Sequence, residues 1–132
     1  MSKVIAPLVD TDVWIDLLRG HPLAVACVRE LKGRVFISSV SVAELYVGVR
    51  EGSERAALDD LISTLDVVDL TPTIAMRGGL IRRDFGRTHG VGLNDALIAA
   101  SVIEHSLYLL TLNVKHYPGL NRNQLKQAYL KV

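Results

Sequence analysis

The chain has 132 residues, of which 49% are hydrophobic and 22% charged, with 15 lysines and arginines against 14 aspartates and glutamates for a formal net charge of +1. That length suits a single domain, residues 1–132, and the apolar runs break well short of the ~20 residues of a membrane span, so no membrane partner is expected. The near-zero charge excludes a binder held to nucleic acid by a global basic excess, and the lone Cys27 excludes both a disulfide framework and a cysteine-rich zinc site.

In chain order, the first strand is predicted in "KVIAPLV", with Pro7 a blemish because proline donates no ladder hydrogen bond. Met1 to Pro7 lacks the pattern of a secretory signal, which makes the cytoplasm the expected location. Helices follow in "DVWIDLLRG", stopped by Gly20, and in "PLAVACVRELKG", with Pro22 at its start, Gly33 past its end and Cys27 expected in the core. The strand "RVFIS" leads into a helix over "SVAELYVGVR", and a further helix over "ERAALDDLISTL" is assigned Ser53 as its cap. After the strand "DVVDL" comes a long helix over "PTIAMRGGLIRRDFGRTH", which Gly78 and Gly79 are expected to bend or break. The apolar helix "NDALIAASVIEHS" and the strand "LYLLT" complete the alternation of β and α, the pattern of a parallel sheet flanked by helices on both faces.

In such folds ligands gather beyond the carboxyl ends of the strands; Asp10 falls at one such end, Glu44 a turn into the helix after "RVFIS", and Asp95 at the start of the helix after the "HGVGLN" loop. Taken singly, each acid has a structural role open to it. Asp10 or Asp12 can cap a helix, Ser41 and Glu44 have the spacing of a capping box, and Asp95 suits the positive end of a helix dipole. Asp16, with Arg19 three positions on, reads as a solvated ion pair.

Matters change if the fold brings Asp10, Glu44 and Asp95 together. Two carboxylates about 4 Å apart repel by roughly 4 kcal/mol at an effective dielectric near 20, so a cluster of three calls for raised pKa values or for a cation. Oxygen donors without thiolates or paired histidines select a hard ion, Mg²⁺ or Mn²⁺. No H-E-x-x-H, Walker loop or dinucleotide fingerprint competes with that chemistry, and His21, His89, His105 and His116 read as surface or loop residues. A phosphoacceptor domain also gathers acids around Mg²⁺. It would use Asp69 at the third strand's end, but leaves Glu44 and Asp95 unexplained.

Four stretches in sequence, "LVDTDVWIDLLRG", "SSVSVAELYVGV", "GVGLNDALIAASVIEH" and "LYLLTLNVKHYPGL", resemble the PIN-domain ribonucleases, and among them the VapC-like toxins of toxin-antitoxin pairs. The resemblance covers essentially the whole chain. It implies a five-stranded parallel sheet, with the fifth strand expected around "AYLKV", and Mg²⁺- or Mn²⁺-dependent hydrolysis of RNA by Asp10, Glu44 and Asp95. It also implies a cognate antitoxin and a homodimer, for which Trp14, Leu17, Leu18, Leu45, Tyr46 and Val49 are candidate groove or dimer contacts and equally good candidates for plain core, which periodicity does not separate. The chain departs from the family pattern at Asn113, which stands where another acid is common; one tightly held ion is therefore expected, with Asp12 available to compensate. Thr11 and Thr111 are candidate hydrogen-bond partners of the acids, and Arg82, Arg83 and Arg87 candidate RNA contacts. The competing reading is a PIN-like fold that binds RNA or protein without cutting.

Overall fold

The computed structural model describes residues 5–131, and the beginning of the first predicted strand lies outside them. Five short strands, β1 (Pro7–Val9), β2 (Phe36–Ser38), β3 (Asp66–Val68), β4 (Tyr108–Thr111) and β5 (Leu125–Gln127), form one parallel sheet in the order β3-β2-β1-β4-β5. Pro7 is tolerated in the central strand because it is its first residue, where the ladder asks for a carbonyl: Tyr108 N–H donates to the preceding Ala6. The fifth strand is not "AYLKV" but the "LKQ" just before it, and the residues that follow serve another purpose.

Because alternate strand residues point to opposite faces, the sheet supports two cores. Leu8, Val68 and Leu109 enter one, with Ile74, Ile98 and Val102 from the helices α5 (Pro72–His89) and α6 (Leu93–Glu104). Their neighbours Val9, Ile37 and Leu110 enter the other, with Trp14 and Leu45 from α1 (Thr11–Leu18) and α3 (Ser39–Val47). Half-buried Cys27, on α2 (Pro22–Arg29), and Leu58, on α4 (Ser53–Ser63), pack into the same second core. Trp14 and Leu45 are therefore interior rather than groove residues, and the Trp14 ring N–H is satisfied by the Val9 carbonyl at 3.0 Å. Leu17, Tyr46 and Val49 pack half-buried against this core, while Leu18 is exposed.

Three local expectations are corrected. Ser53 is the first residue of α4 rather than its cap; Gly52 takes the cap position at φ 100°, a conformation costly for any residue with a Cβ. Gly78 and Gly79 do not break α5, which runs unbroken for 18 residues. Gly78 instead permits close approach to α6, since a Cβ there would meet Leu97 Cδ2 at 2.6 Å and Leu97 Cα at 3.1 Å, whereas one at Gly79 would meet nothing. Asp16 is not a solvated partner of Arg19. It is 5% exposed and accepts from Tyr129 Oη at 2.7 Å and from Lys131 Nζ at 3.0 Å, so the chain after β5 straps down α1.

Gly78→Ala should cost a net 1–2 kcal/mol, about the strain of overpacking less the gain in helix propensity, while Gly79→Ala should stabilise by up to about 1 kcal/mol; urea melts distinguish them. Burial alone would raise the Asp16 pKa, but the hydrogen bonds from Lys131 and Tyr129 and the Lys131 charge outweigh it and hold it below the usual 3.8. A depressed native pKa gives stability that is complete above the unfolded value and lost as pH falls through the native one. Asp16→Asn should thus cost about 2 kcal/mol above about pH 5, a difference that vanishes toward about pH 2 in pH-dependent urea melts.

Candidate active site

The strand order reverses between β1 and β4, since the chain builds outward through β2 and β3 before crossing to β4 and β5. This is the switch point at which parallel sheets open a crevice, and the chain enters it from both central strands. Asp10 follows β1 directly, with its N–H on the Leu110 carbonyl at 2.9 Å, and Thr111 ends β4 beside it. Asp10 is both a helix cap and a site residue. Its Oδ1 accepts from the Thr11 N–H at 2.8 Å, which caps α1, and its Oδ2 accepts from Thr111 Oγ1 at 2.8 Å and Tyr117 Oη at 2.6 Å.

Glu44 and Asp95 come from the other side of the crevice. Glu44, half-buried on α3, has its Oε1 2.8 Å from Thr11 Oγ1, which in turn lies 2.7 Å from the fully buried Ser41 Oγ. An ionised carboxylate can only accept, so Thr11 donates to Glu44 and takes its own hydrogen bond from Ser41. The capping-box pairing of Ser41 with Glu44 does not form, because Ser38 caps α3. Asp95 lies in the first turn of α6, with Oδ1 3.3 Å from Tyr117 Oη and Oδ2 3.8 Å from His116 Nδ1. Together Asp10, Asp12, Glu44, Asp95, Asn113 and Tyr117 line a cavity of about 210 Å³, with Thr11 and His116 on its wall.

Asp12 ties α1 to the segment after β4. Its Oδ2 accepts from the Leu112 N–H and Asn113 Nδ2, both at 3.1 Å. Burial, and then the neighbouring charge of Asp10, push its pKa up to about 6 despite those donors. Asn113 thus supplies a neutral donor to Asp12 where a further acid would have added repulsion.

The donors that hold these acids are neutral. Tyr117 is 3% exposed, and burial together with Asp10 drives its phenol pKa far above the usual value, so it is a permanent proton donor. Its proton goes to Asp10, the nearer of the two acids it touches. Sequence reasoning gave Tyr117 no role, and no local signal could have: its partners lie 107 and 22 residues away. The placement of Ser41 behind Thr11 was equally invisible.

Other candidates lie elsewhere. Arg82, Arg83 and Arg87 are exposed on α5, Arg83 pairing with Asp84 at 2.9 Å, and none lines the acid cavity. Asp69 is exposed just past β3 at the sheet edge, so a phosphoacceptor reading finds no acceptor in the crevice.

A wall dominated by oxygen donors, four acids and one amide, suits a hard cation. Three of the four lone-pair positions on Asp10 are already occupied by protein donors, leaving room for one further bond. Among the described residues no three acids are drawn into a closed ligand cluster; they face one another across the cavity.

Burial, and then the charge of Asp10, raise the Asp95 pKa in spite of Tyr117 and His116. The native protein therefore holds the ionised form less readily than the unfolded chain, a cost that disappears as pH falls through the raised value. Asp95→Asn should stabilise the metal-free protein at pH 7 by up to about 1 kcal/mol, the exposed part of the carboxylate being screened by water, and the gain should shrink in acid; chemical denaturation at several pH values measures it.

The PIN domain family matches residues 8–117. Ribonuclease VapC19 of Mycobacterium tuberculosis is 41% identical over 115 residues, spanning 84% of this chain and 91% of that protein. Ribonuclease VapC10 of the same organism is 41% identical over 125 residues, 92% of each chain. Among solved structures, a toxin-antitoxin complex from Klebsiella pneumoniae superposes with a TM-score of 0.80 at 26% identity, over 93% of this chain and 98% of that one. The matched stretch takes in every residue of the acid cavity, from Asp10 to Tyr117, and the chain belongs to the PIN domain family.

Proposed function

We propose that the chain is a VapC-like toxin, a divalent-metal-dependent endoribonuclease that hydrolyses RNA phosphodiester bonds and is neutralised by a cognate antitoxin. The observation that carries this reading is the convergence of Asp10, Asp12, Glu44 and Asp95 on one cavity with neutral donors only, a charge that protein groups hold in place without cancelling. The 41% identity to two VapC ribonucleases and the likeness to a toxin-antitoxin complex support the substrate class and the partner.

Asp10, Asp95 and Glu44 would hold Mg²⁺ or Mn²⁺, with Asp12 and the Asn113 amide oxygen at its border. An ion so bound supplies Lewis acidity, lowering the pKa of a water and offsetting charge on the transferring phosphoryl group. The chain's own residues do the rest. Thr111 and Tyr117 fix the orientation of Asp10 from behind. Glu44, steered by Thr11 and half open to solvent, is placed to take a proton from the attacking water. Asp95, in the first turn of α6, is oriented by Tyr117 Oη, 3.3 Å from its Oδ1, with His116 Nδ1 3.8 Å from its Oδ2. No covalent protein intermediate is required.

Asn113 favours a second reading, a PIN fold that binds RNA or protein without cutting, in which Asn113→Asp would switch on an otherwise inert protein. A homodimer and a cytoplasmic location complete the proposal. No helix among the described residues is long and apolar enough to cross a membrane.

Purified protein should cut a structured RNA with Mg²⁺ or Mn²⁺ and not in excess chelator. Asp95→Asn should lower the rate by roughly 10²-fold or more while leaving the circular dichroism spectrum intact. The same ions should raise the wild-type melting temperature and raise that of Asp95→Asn less. Cleavage that persists in chelator would overturn the metal role.

A further inference from the structure

The acid cavity continues past Asp12. Asp12, Ile15 and Asn113 also line a second hollow of about 540 Å³, walled by Arg19, Gln127 and Tyr129, a volume within the roughly 300–1,000 Å³ of small-molecule sites. It adds cations that its neighbour lacks, Arg19 and Lys131, to the carboxylates of Asp12 and Asp16. The acid cavity gathers four carboxylates, and the arginines of α5 do not reach it, so it has nothing with which to hold the phosphates that flank a reacting one. Arg19, at the C-terminus of α1, is exposed; its backbone N–H caps the helix on the Ile15 carbonyl at 3.1 Å, while its guanidinium makes no hydrogen bond or ion pair among the described residues. Asp16, three residues before it, is already engaged by Lys131 and Tyr129. The guanidinium is thus an uncommitted cation beside the acid cavity.

The remaining walls suit a base. Tyr129 is held in place, its hydroxyl on Asp16 and its ring stacked on His21 with centroids 5.8 Å apart and 19° between planes. Ile15, 36% exposed, adds an apolar surface on the boundary between the two hollows. Gln127 spends its amide donors on the carbonyls of Leu112 and Tyr129, at 3.0 and 2.9 Å, which fixes its orientation and leaves its Oε1 without a donor among the described residues. Asn113 likewise donates to Asp12 and keeps its Oδ1 free.

We infer that this second hollow is a subsite for one nucleotide of single-stranded RNA adjoining the scissile phosphate. Arg19 pairs with the nucleotide's phosphate, Tyr129 and Ile15 pack its base, and the free oxygens of Gln127 and Asn113 accept from donors on the base edge. The inference rests on the ribonuclease reading and deepens it, giving that activity a binding site for a flanking nucleotide.

The test compares wild type with Arg19→Ala and Arg19→Glu on a single-stranded oligoribonucleotide containing a mapped cleavage site, and on versions shortened stepwise from either end. Since the guanidinium makes no hydrogen bond or ion pair among the described residues, Arg19→Ala should melt close to wild type, and Arg19→Glu, which puts a negative charge at the C-terminus of α1, only slightly below it. Arg19→Ala should raise KM roughly tenfold with kcat little changed, lower the slope of log affinity against log salt by about 0.7, and be exceeded in KM by Arg19→Glu. The KM difference should disappear on the shortened substrate that lacks the subsite nucleotide, from one end only. Unchanged KM on the full oligonucleotide, or the same penalty on every shortened form, overturns the subsite while leaving the ribonuclease reading standing. No cleavage by wild type with Mg²⁺ or Mn²⁺ overturns both.

Discussion

The site depends on a carboxylate that cannot turn away from its own kind. Asp10 is held on one oxygen by the backbone of α1 and on the other by two hydroxyls, one from β4 and one from the turn that follows it. Each donor stabilises the charge by a modest amount, on the order of 1.5–3 kcal/mol for a hydrogen bond to an ion, and none removes it. The repulsion toward Asp12 and Asp95 therefore remains, and adds to burial, the larger cause, in raising the pKa of both. The fold tolerates that cost because the donors belong to strands and helices fixed by the two cores.

Asp16 shows what a structural acid looks like on the same helix. It sits one turn beyond Asp12, is at least as buried as Asp10, and is matched by an ammonium and a phenol. Its pKa is lowered where that of Asp12 is raised. The same side chain in two settings thus serves opposite ends. Asp16 anchors the C-terminal segment against α1, and Asp12 keeps a charge available at the crevice mouth. Lys131 and Tyr129 make that division, and in doing so they build the wall of the neighbouring hollow and leave Arg19 uncommitted.

The sheet order does the positioning. Had β4 joined the outer edge, Thr111 and Tyr117 would stand apart from Asp10, and α6 would carry Asp95 elsewhere. Insertion of β4 beside β1 puts the ends of both central strands at one crevice, and the close packing of α6 on α5 at Gly78 sets the helix that carries Asp95. Tyr117 belongs at once to the core formed by Leu8 and Leu109 and to the acid cavity, so packing and site geometry are joined in one residue.

Legible along the chain were the alternation of strands and helices, the parallel sheet, and the candidate acids Asp10, Glu44 and Asp95, because strand periodicity, helix start and stop signals and acids near strand ends and helix starts are local properties written within a few residues. The same reading set Asp16 beside Arg19 as a solvated pair, gave Tyr117 no part, placed the fifth strand a few residues late and treated Gly78 as a flaw. Each of these turns on a partner brought from far along the chain: Lys131 to Asp16, Tyr117 to Asp10, Leu97 to Gly78. Hydrogen bonding and close packing depend on distance in space, and a side chain's charge state is set by whatever folding places beside it.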